Sequence, residues 1–308
     1  MVSPWTVSDV PDLAGKTALV TGANNGLGYW TALHLARRGA RVVLACRSGE
    51  RARAALAELL VAVPDGQFEV QSLDLADLDS VAAAAAEVGA RYDRLDLLVN
   101  NAGFALQPKA VTAQGFESHY GVNFLGHFAL TGRLLDLVTA TPGSRVVHVG
   151  SIQHHVGRLS FTDPHYEHRR YTPGGAYGQS KLANVVFMLE LERRLRRTAA
   201  STISLGAHPG MSGTGIAESM AILQVPGFRP TYDWLVGKVL NTAEMGAYPS
   251  LLAATRPGVA GGTYFGPRGL GVKGYPKAAR MSRKARPEEA GRQLWELAER
   301  ETGVRFLG

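Results

Sequence analysis

The stretch Thr21-Gly22-Ala23-Asn24-Asn25-Gly26-Leu27-Gly28 decides how the rest of the chain is read. It follows an apolar run, Ala18-Leu19-Val20, that fits a buried strand, and it precedes an amphipathic segment, Tyr29 to Arg38, that fits a helix. Strand, glycine turn and helix in that order let backbone approach a diphosphate closely, while the first N–H groups of the helix point at the same anion. A chain with 36 glycines produces glycine triplets by chance, so a plain tight turn is the competing reading. The flanking strand and helix favour nucleotide binding over it.

Outward from this stretch the pattern repeats. Strand-like runs at 17–21, 41–46, 67–72, 95–99, 145–150 and 202–207 alternate with helical patterns at 27–38, 49–62, 77–90, roughly 112–140 and 175–197. The repetition predicts an α/β protein, a Rossmann-type doubly wound parallel sheet with helices on both faces. No Pro/Gly/Ser-rich linker divides it, so residues 15–308 are expected to form a single domain behind an N-terminal arm, 1–14, that lies over it. Residues 211–240 are apolar without being strand-like, interrupted by Pro226, Gly227 and Pro230, and read as a flap over a lipophilic substrate, a partner contact or plain core. A last strand-like piece, 262–265, is expected to lead into a glycine-rich basic loop and a closing helix near 287–302, which make up a C-terminal extension, 266–308.

With 308 residues, 45% of them hydrophobic and 19% charged, the chain can bury a large core, and its apolar runs are too short to span a bilayer. A soluble globular protein without membrane anchoring is expected. The first residues show neither a basic start nor an apolar run of the secretory kind. The lone Cys46 excludes an intrachain disulfide and makes a reducing cytoplasm the expected compartment. A net charge of +7 admits nucleic acid, an anionic membrane or an anionic cofactor as partner. The dense basic stretch Lys273 to Arg286 carries no interleaved aromatic platform, so it reads as solvated surface and no nucleic-acid partner is expected.

The ends of the strands carry the candidate chemistry. An NAD binder places Asp or Glu at the end of the second strand to hold the ribose hydroxyls; here Ala45-Cys46-Arg47 offers no acid, and Arg47 supplies a cation suited to the 2′-phosphate of NADP. Asp74 ends the third strand, either as an acceptor for the adenine amino group or as a helix cap. Asn100-Asn101-Ala102-Gly103 ends the fourth, as an Asx turn or as part of the ligand-binding edge of the sheet. Asn123 interrupts an apolar helical pattern, so its amide either bonds backbone or holds a water near an active centre.

Ser151 ends the fifth strand, and Tyr177 and Lys181 stand four apart in a helical segment, which puts them on one face. A tyrosine of ordinary pKa ~10 is a poor acid or base at neutral pH, and a fixed ammonium beside it lowers that value. The Ser151 hydroxyl would hold the substrate oxygen that the tyrosine protonates. His154, His155, His165 and His168 raise a zinc reading, but no acid or thiol completes a ligand spacing and no metal is expected. His208-Pro209-Gly210-Met211-Ser212-Gly213-Thr214 forms a turn that reaches toward the far end of a bound cofactor.

Thr21-Gly22-x3-Gly26-x-Gly28, Asn100-Asn101-Ala102-Gly103, Asn123, Ser151, Tyr177-x3-Lys181 and Pro209-Gly210 stand in the order found in short-chain dehydrogenase/reductases, which the chain resembles over roughly residues 15–265. Ala45-Cys46-Arg47 and the long interval between Ser151 and Tyr177 are similar to the retinol-dehydrogenase-like branch. The resemblance implies an NADP(H)-dependent oxidoreductase that interconverts a ketone or aldehyde and an alcohol by hydride transfer. It implies Tyr177 as general acid/base, Lys181 as the group that lowers its pKa and binds the nicotinamide ribose, Ser151 as carbonyl anchor and Asn123 as holder of a relay water. It implies cofactor contacts at Gly22, Asn24, Asn25, Gly26, Leu27, Gly28, Arg47, Asp74, Leu75, Asn101, Ala102, Gly103, Tyr177, Lys181, Pro209, Gly210 and Thr214. Two departures stand out: Gly150 where this branch often has a second serine, and Asn25 where some NADP binders carry a base. The flap favours a bulky hydrophobic substrate. The resemblance also implies a homo-dimer or tetramer, with the C-terminal extension placed to obstruct one interface. A non-catalytic NADP(H) sensor or scaffold on the same fold is the alternative, and a nucleotide-sugar epimerase is disfavoured by the glycine spacing.

Overall fold

The first strand, β1 (Thr17–Thr21), is buried along its whole length because both faces of the sheet are covered, which is why it reads as a continuous apolar run. The computed structural model describes residues 4–211, 241–269 and 271–308; of the flap only Met211 falls among them, and Thr214 lies outside them. After β1 come α1 (Gly26–Ala36), β2 (Arg41–Cys46), α2 (Gly49–Ala62), β3 (Phe68–Ser72), α3 (Leu78–Arg91) and β4 (Leu97–Asn100). A short turn of helix, α4 (Ser118–Tyr120), a π-turn (Gly121–Leu125) and α5 (Gly126–Thr139) lead to β5 (Arg145–Val149). Then follow α6 (Pro173–Leu195), β6 (Ile203–Ala207), α7 (Ala243–Thr255), β7 (Tyr264–Gly269), β8 (Lys273–Ala278) and α8 (Glu288–Thr302).

The eight strands form one sheet in the order β3-β2-β1-β4-β5-β6-β7-β8, parallel except for the β7–β8 pair. Strand order reverses between β1 and β4, and the carboxyl ends of those strands open the crevice where such sheets bind ligands. Side chains alternate between two cores. Leu19, Val43, Leu98 and Val146 pack under α3, α5, α6 and α8, whereas Ala18, Val20, Val42, Val99 and Val147 pack under α1, α2 and α7.

The structure departs from the expectations in three places. Residues 112–117 are not helical: Val111 and Glu117 bridge, and the Glu117 carboxylate accepts the N–H groups of His119 and Tyr120, so it starts the helix later than the apolar pattern suggested. The cap of α3 is Asp77, which accepts the Asp79 N–H; Asp74 instead accepts the Ala76 N–H at 2.9 Å. The basic loop after 265 is a hairpin in which Pro267 faces Pro276, and β8 escaped notice because an exposed edge strand rich in Lys, Gly and Pro carries no apolar alternation.

The first and last described segments pack against the helices that flank the sheet. Trp5 meets the Tyr248 ring edge-on at 6.4 Å, and Leu13 N–H donates to the Arg38 carbonyl at 2.7 Å. At the other end Trp295 is buried among Phe128, Phe187 and Phe306, with the Arg194 guanidinium 4.2 Å above its ring. The tail thereby covers the α5 and α6 surface. No described helix is long and apolar enough to cross a membrane.

Candidate active site

The sequence-derived candidates that the structure describes gather at the carboxyl edge of the sheet. The Gly22–Gly28 turn leaves β1, Arg47 follows β2, Asp74 and Leu75 follow β3, Asn101 to Gly103 follow β4, Ser151 follows β5, and Pro209 and Gly210 follow β6. Tyr177 and Lys181 approach from α6, whose start is fixed by the Thr172 side chain accepting the Gly175 N–H and by Pro173 in its first turn.

The glycine turn is built for close approach. Gly22 adopts φ +65 beside Ala102, and a Cβ on Gly28 would stand 2.3 Å from the Gly22 carbonyl oxygen and 2.6 Å from Asn101 Nδ2. The side chains of Ser48, Asp77, Thr172 and Thr242 cap the helices they precede, but Asn25 makes no such bond to α1. The start of α1 is therefore open to an anion, as a dinucleotide diphosphate requires. Arg47 is exposed, and no ion pair or side-chain hydrogen bond joins it to the described residues. Cys46 lies beneath the turn, its thiol pushed up by burial while the N–H groups of Ala23 and Asn24 pull the other way.

Asn101 is not a simple Asx turn. Its Nδ2 donates to the Thr21 carbonyl at 2.7 Å, and Thr21 Oγ1 accepts the N–H groups of both Asn101 and Ala102 at 2.9 Å. This hydroxyl, which sequence reasoning passed over, ties the ends of β1 and β4 together. Leu75 packs against Gly126, where a Cβ would meet its carbonyl oxygen at 2.6 Å. Pro209 gives its carbonyl to Asn241 Nδ2, and Gly210 takes φ +74 with its N–H on His208 Nδ1.

Asn123 sits fully buried in the π-turn. Its Oδ1 accepts the Phe104 N–H and its Nδ2 donates to the Phe104 carbonyl, both at 3.1 Å, and Nδ2 also reaches Ser180 Oγ at 3.0 Å. The amide thus bonds backbone and breaks the helix at the same point. Lys181 Nζ donates to the Val149 carbonyl at 3.0 Å and lies 5.8 Å from the Tyr177 ring centre; burial brings its pKa down to about 8. Burial raises the Tyr177 hydroxyl above its ordinary value, with the neighbouring Ser151 hydroxyl working the other way.

Beside Tyr177 stands a buried pair that composition alone gave no reason to single out. His119 lies 6.2 Å from the Tyr177 ring and 4.8 Å from Phe104, and its Nδ1 is 2.9 Å from Glu117 Oε1. The Gln107 N–H donates to its Nε2 at 3.3 Å, so Nδ1 carries the proton toward the carboxylate. Burial would raise the Glu117 pKa, but the bonds from His119 and from two backbone N–H groups prevail and hold it below the usual range. Two of the histidines after Ser151 have partners of their own. His154 Nδ1 meets the Ser151 carbonyl at 2.5 Å, and His165 pairs with Glu301 at 2.9 Å; among the described residues no group of metal-ligating side chains gathers.

Gly150 has a steric cause. A Cβ there would stand 2.3 Å from Tyr264 Oη, a buried hydroxyl with no partner among the described residues, whose ring also fills the space a side chain at Gly206 would need. Gly150→Ser is expected to lower stability by about 1–3 kcal/mol through overpacking, and adding Tyr264→Phe should recover most of it. Urea unfolding of the two single variants and the double variant checks this; additive losses would contradict it.

The pattern of the family described as short chain dehydrogenase matches residues 16–221. Human retinol dehydrogenase 12 is 38% identical over 297 residues, covering 96% of this chain and 88% of its own length. Human retinol dehydrogenase 13 is 37% identical, over 95% of this chain and 86% of its own. A crystal structure of a putative uncharacterized protein from Mycobacterium paratuberculosis superposes with a TM-score of 0.83 at 39% identity, covering 99% of both chains. A metagenomic short-chain oxidoreductase in complex with NADP is 28% identical with a TM-score of 0.53, covering 65% of this chain and 84% of its own. The chain belongs to the short-chain dehydrogenase/reductase family of oxidoreductases, on its retinol-dehydrogenase-like branch.

Proposed function

We propose that the protein is an NADP(H)-dependent reductase of bulky hydrophobic aldehydes or ketones, working with Tyr177, Ser151, Lys181 and Asn123. The observation that carries this reading is the meeting of three groups at the end of β5. Ser151 and Tyr177 present neighbouring hydroxyls there, and the Lys181 ammonium is anchored on the Val149 carbonyl, 5.8 Å from the Tyr177 ring.

A nicotinamide dinucleotide, when bound, supplies the hydride. The open start of α1 and the close-packed glycines would hold its diphosphate, and Arg47, Asp74, Leu75, Asn101, Pro209 and Gly210 line the same edge. Ser151 Oγ donates a hydrogen bond to the substrate oxygen, and Tyr177 Oη delivers the proton that the oxygen needs as negative charge develops on it. A phenol held protonated by burial is set for the direction that consumes a proton, carbonyl reduction. Asn123 holds the loop at Phe104 and α6 together and is the candidate holder of a relay water. Phe104 and the exposed Leu106 follow Gly103 on the substrate side, which supports an apolar substrate, as do the names of the relatives.

Arg47 supports NADP over NAD, since it follows β2 as a cation without a partner among the described residues, where a ribose-binding acid is missing. Arg47→Asp is expected to weaken NADPH binding by about 1.5–3 kcal/mol, a factor of roughly 10 to 150, with NADH gaining relative to it. Parallel fluorescence titrations of both cofactors measure the ratio. An unchanged ratio would sink the assignment to NADP.

A further inference from the structure

We propose that His127 is a positioning residue of this site: its imidazole holds the end of β1, the turn after β4 and the Asn123 peptide in one register, so that the cofactor turn and the catalytic centre are set together. The proposal rests on the reading that these segments form the dinucleotide and catalytic site.

His127 lies in the first turn of α5, one turn after Asn123, and is 1% exposed. Its Nδ1 is 3.0 Å from the Asn123 carbonyl, and its Nε2 is 2.9 Å from Thr21 Oγ1. A carbonyl only accepts, so Nδ1 carries the proton. In the neutral ring Nε2 then accepts, and Thr21 Oγ1 must be the donor. That direction agrees with the other bonds of the hydroxyl, whose oxygen already accepts the Asn101 and Ala102 N–H groups. The remaining acceptor near it, the Val99 carbonyl, is farther away at 3.4 Å.

Every donor in this chain has an acceptor, and the sequence of bonds runs one way. The turn after β4 donates to Thr21, Thr21 donates to His127, and His127 donates to Asn123. A charged imidazole would aim a second N–H at a hydroxyl with no lone pair to spare. Burial agrees with the neutral ring, bringing the His127 pKa down to about 4; its bond to the Asn123 carbonyl works the other way, and the Lys181 charge works with burial. The residue after Thr21 is Gly22, which opens the cofactor turn, and the side chain of Asn123 holds Phe104. A displaced imidazole would therefore be felt on both sides of the site.

The two arms can be cut separately. The amide nitrogen of His127→Asn lies near the place of Nδ1 and keeps the bond to Asn123 while losing Thr21. The longer His127→Gln reaches Thr21 with its carbonyl oxygen and loses Asn123. The measurements are dissociation constants for NADPH and NADH from quenching of protein fluorescence, kcat for a carbonyl that wild type reduces, and the melting temperature of each variant. His127→Asn is expected to weaken cofactor binding about tenfold with kcat within about threefold, and His127→Gln to leave binding within about threefold while lowering kcat about tenfold. Thr21→Val should weaken cofactor binding by at least as much as His127→Asn, because it removes that bond and also the acceptor of the Asn101 and Ala102 N–H groups. Variants that differ from wild type only in melting temperature, or that shift binding and kcat together, would overturn the proposal. Wild type that binds neither NADPH nor NADH would remove the reading beneath it, which is a separate result.

Discussion

Tyr177→Phe is expected to lower kcat for carbonyl reduction by at least about 10² to 10⁴-fold while leaving NADPH affinity within about tenfold. The substitution removes one oxygen and little volume from a partly buried ring, so α6 and the contacts of Lys181 with the Val149 carbonyl remain. It deletes the group assigned to pass a proton to the substrate oxygen. Ser151 Oγ still polarises that oxygen but has no proton to lose at neutral pH, and His119 is held by Glu117 and by the Gln107 N–H rather than free to act in its place. Single-turnover kinetics separate the chemical step from binding. Wild-type turnover in Tyr177→Phe would place the active site elsewhere on the chain.

The second large effect is a loss of stability in acid. Burial brings His127, His154 and His208 down to about 4 and His148 to about 3, against an ordinary value of 6.5. All four are buried. The folded chain keeps these rings neutral, whereas the unfolded chain protonates them below about pH 6.5, so protons favour unfolding. Stability is flat in this respect above about pH 7.5 and falls as pH drops from about 6.5 toward 4. At pH 5 each ring costs about 2 kcal/mol, or about 8 kcal/mol for the four. That is comparable with the whole stability of a typical domain, so the protein should unfold before the rings titrate in place. Glu117 and Asp96, both held below the ordinary carboxylate range, add to the loss only at lower pH. Urea midpoints at pH 7.5 and pH 5.5 test this, and equal midpoints would show that the four rings are not buried neutral.

The sheet was legible because each parallel strand, covered on both faces, reads as an apolar run with a helical period after it; β1 through β6 and their helices needed no other signal. What stayed hidden was whatever depends on contacts between distant segments. Glu117 stops a helix that its neighbours would extend, because its carboxylate takes the first N–H groups of α4. β8 pairs with β7 through its backbone and shows no apolar alternation. At the site, the spacing of Ser151, Tyr177 and Lys181 and the glycine turn could be read directly. Thr21, His127 and Tyr264 could not, since each matters through a partner 80 or more positions away or through a glycine that makes room for it. The one available hint was polarity in an apolar stretch: Glu117, His119, Asn123 and His127 interrupt a helical pattern otherwise fit for the core.

The most direct test of the account is the fate of an isotope. Wild-type protein is incubated with NADPH deuterated at the nicotinamide C4 and with a panel of bulky aldehydes and ketones, and the products are read by mass spectrometry. The expected product is an alcohol that carries the deuterium on its carbinol carbon, formed in step with loss of reduced-nicotinamide absorbance and absent with Tyr177→Phe. NADPH that binds tightly while no carbonyl on the panel acquires deuterium would contradict it and leave a dinucleotide sensor on the same fold.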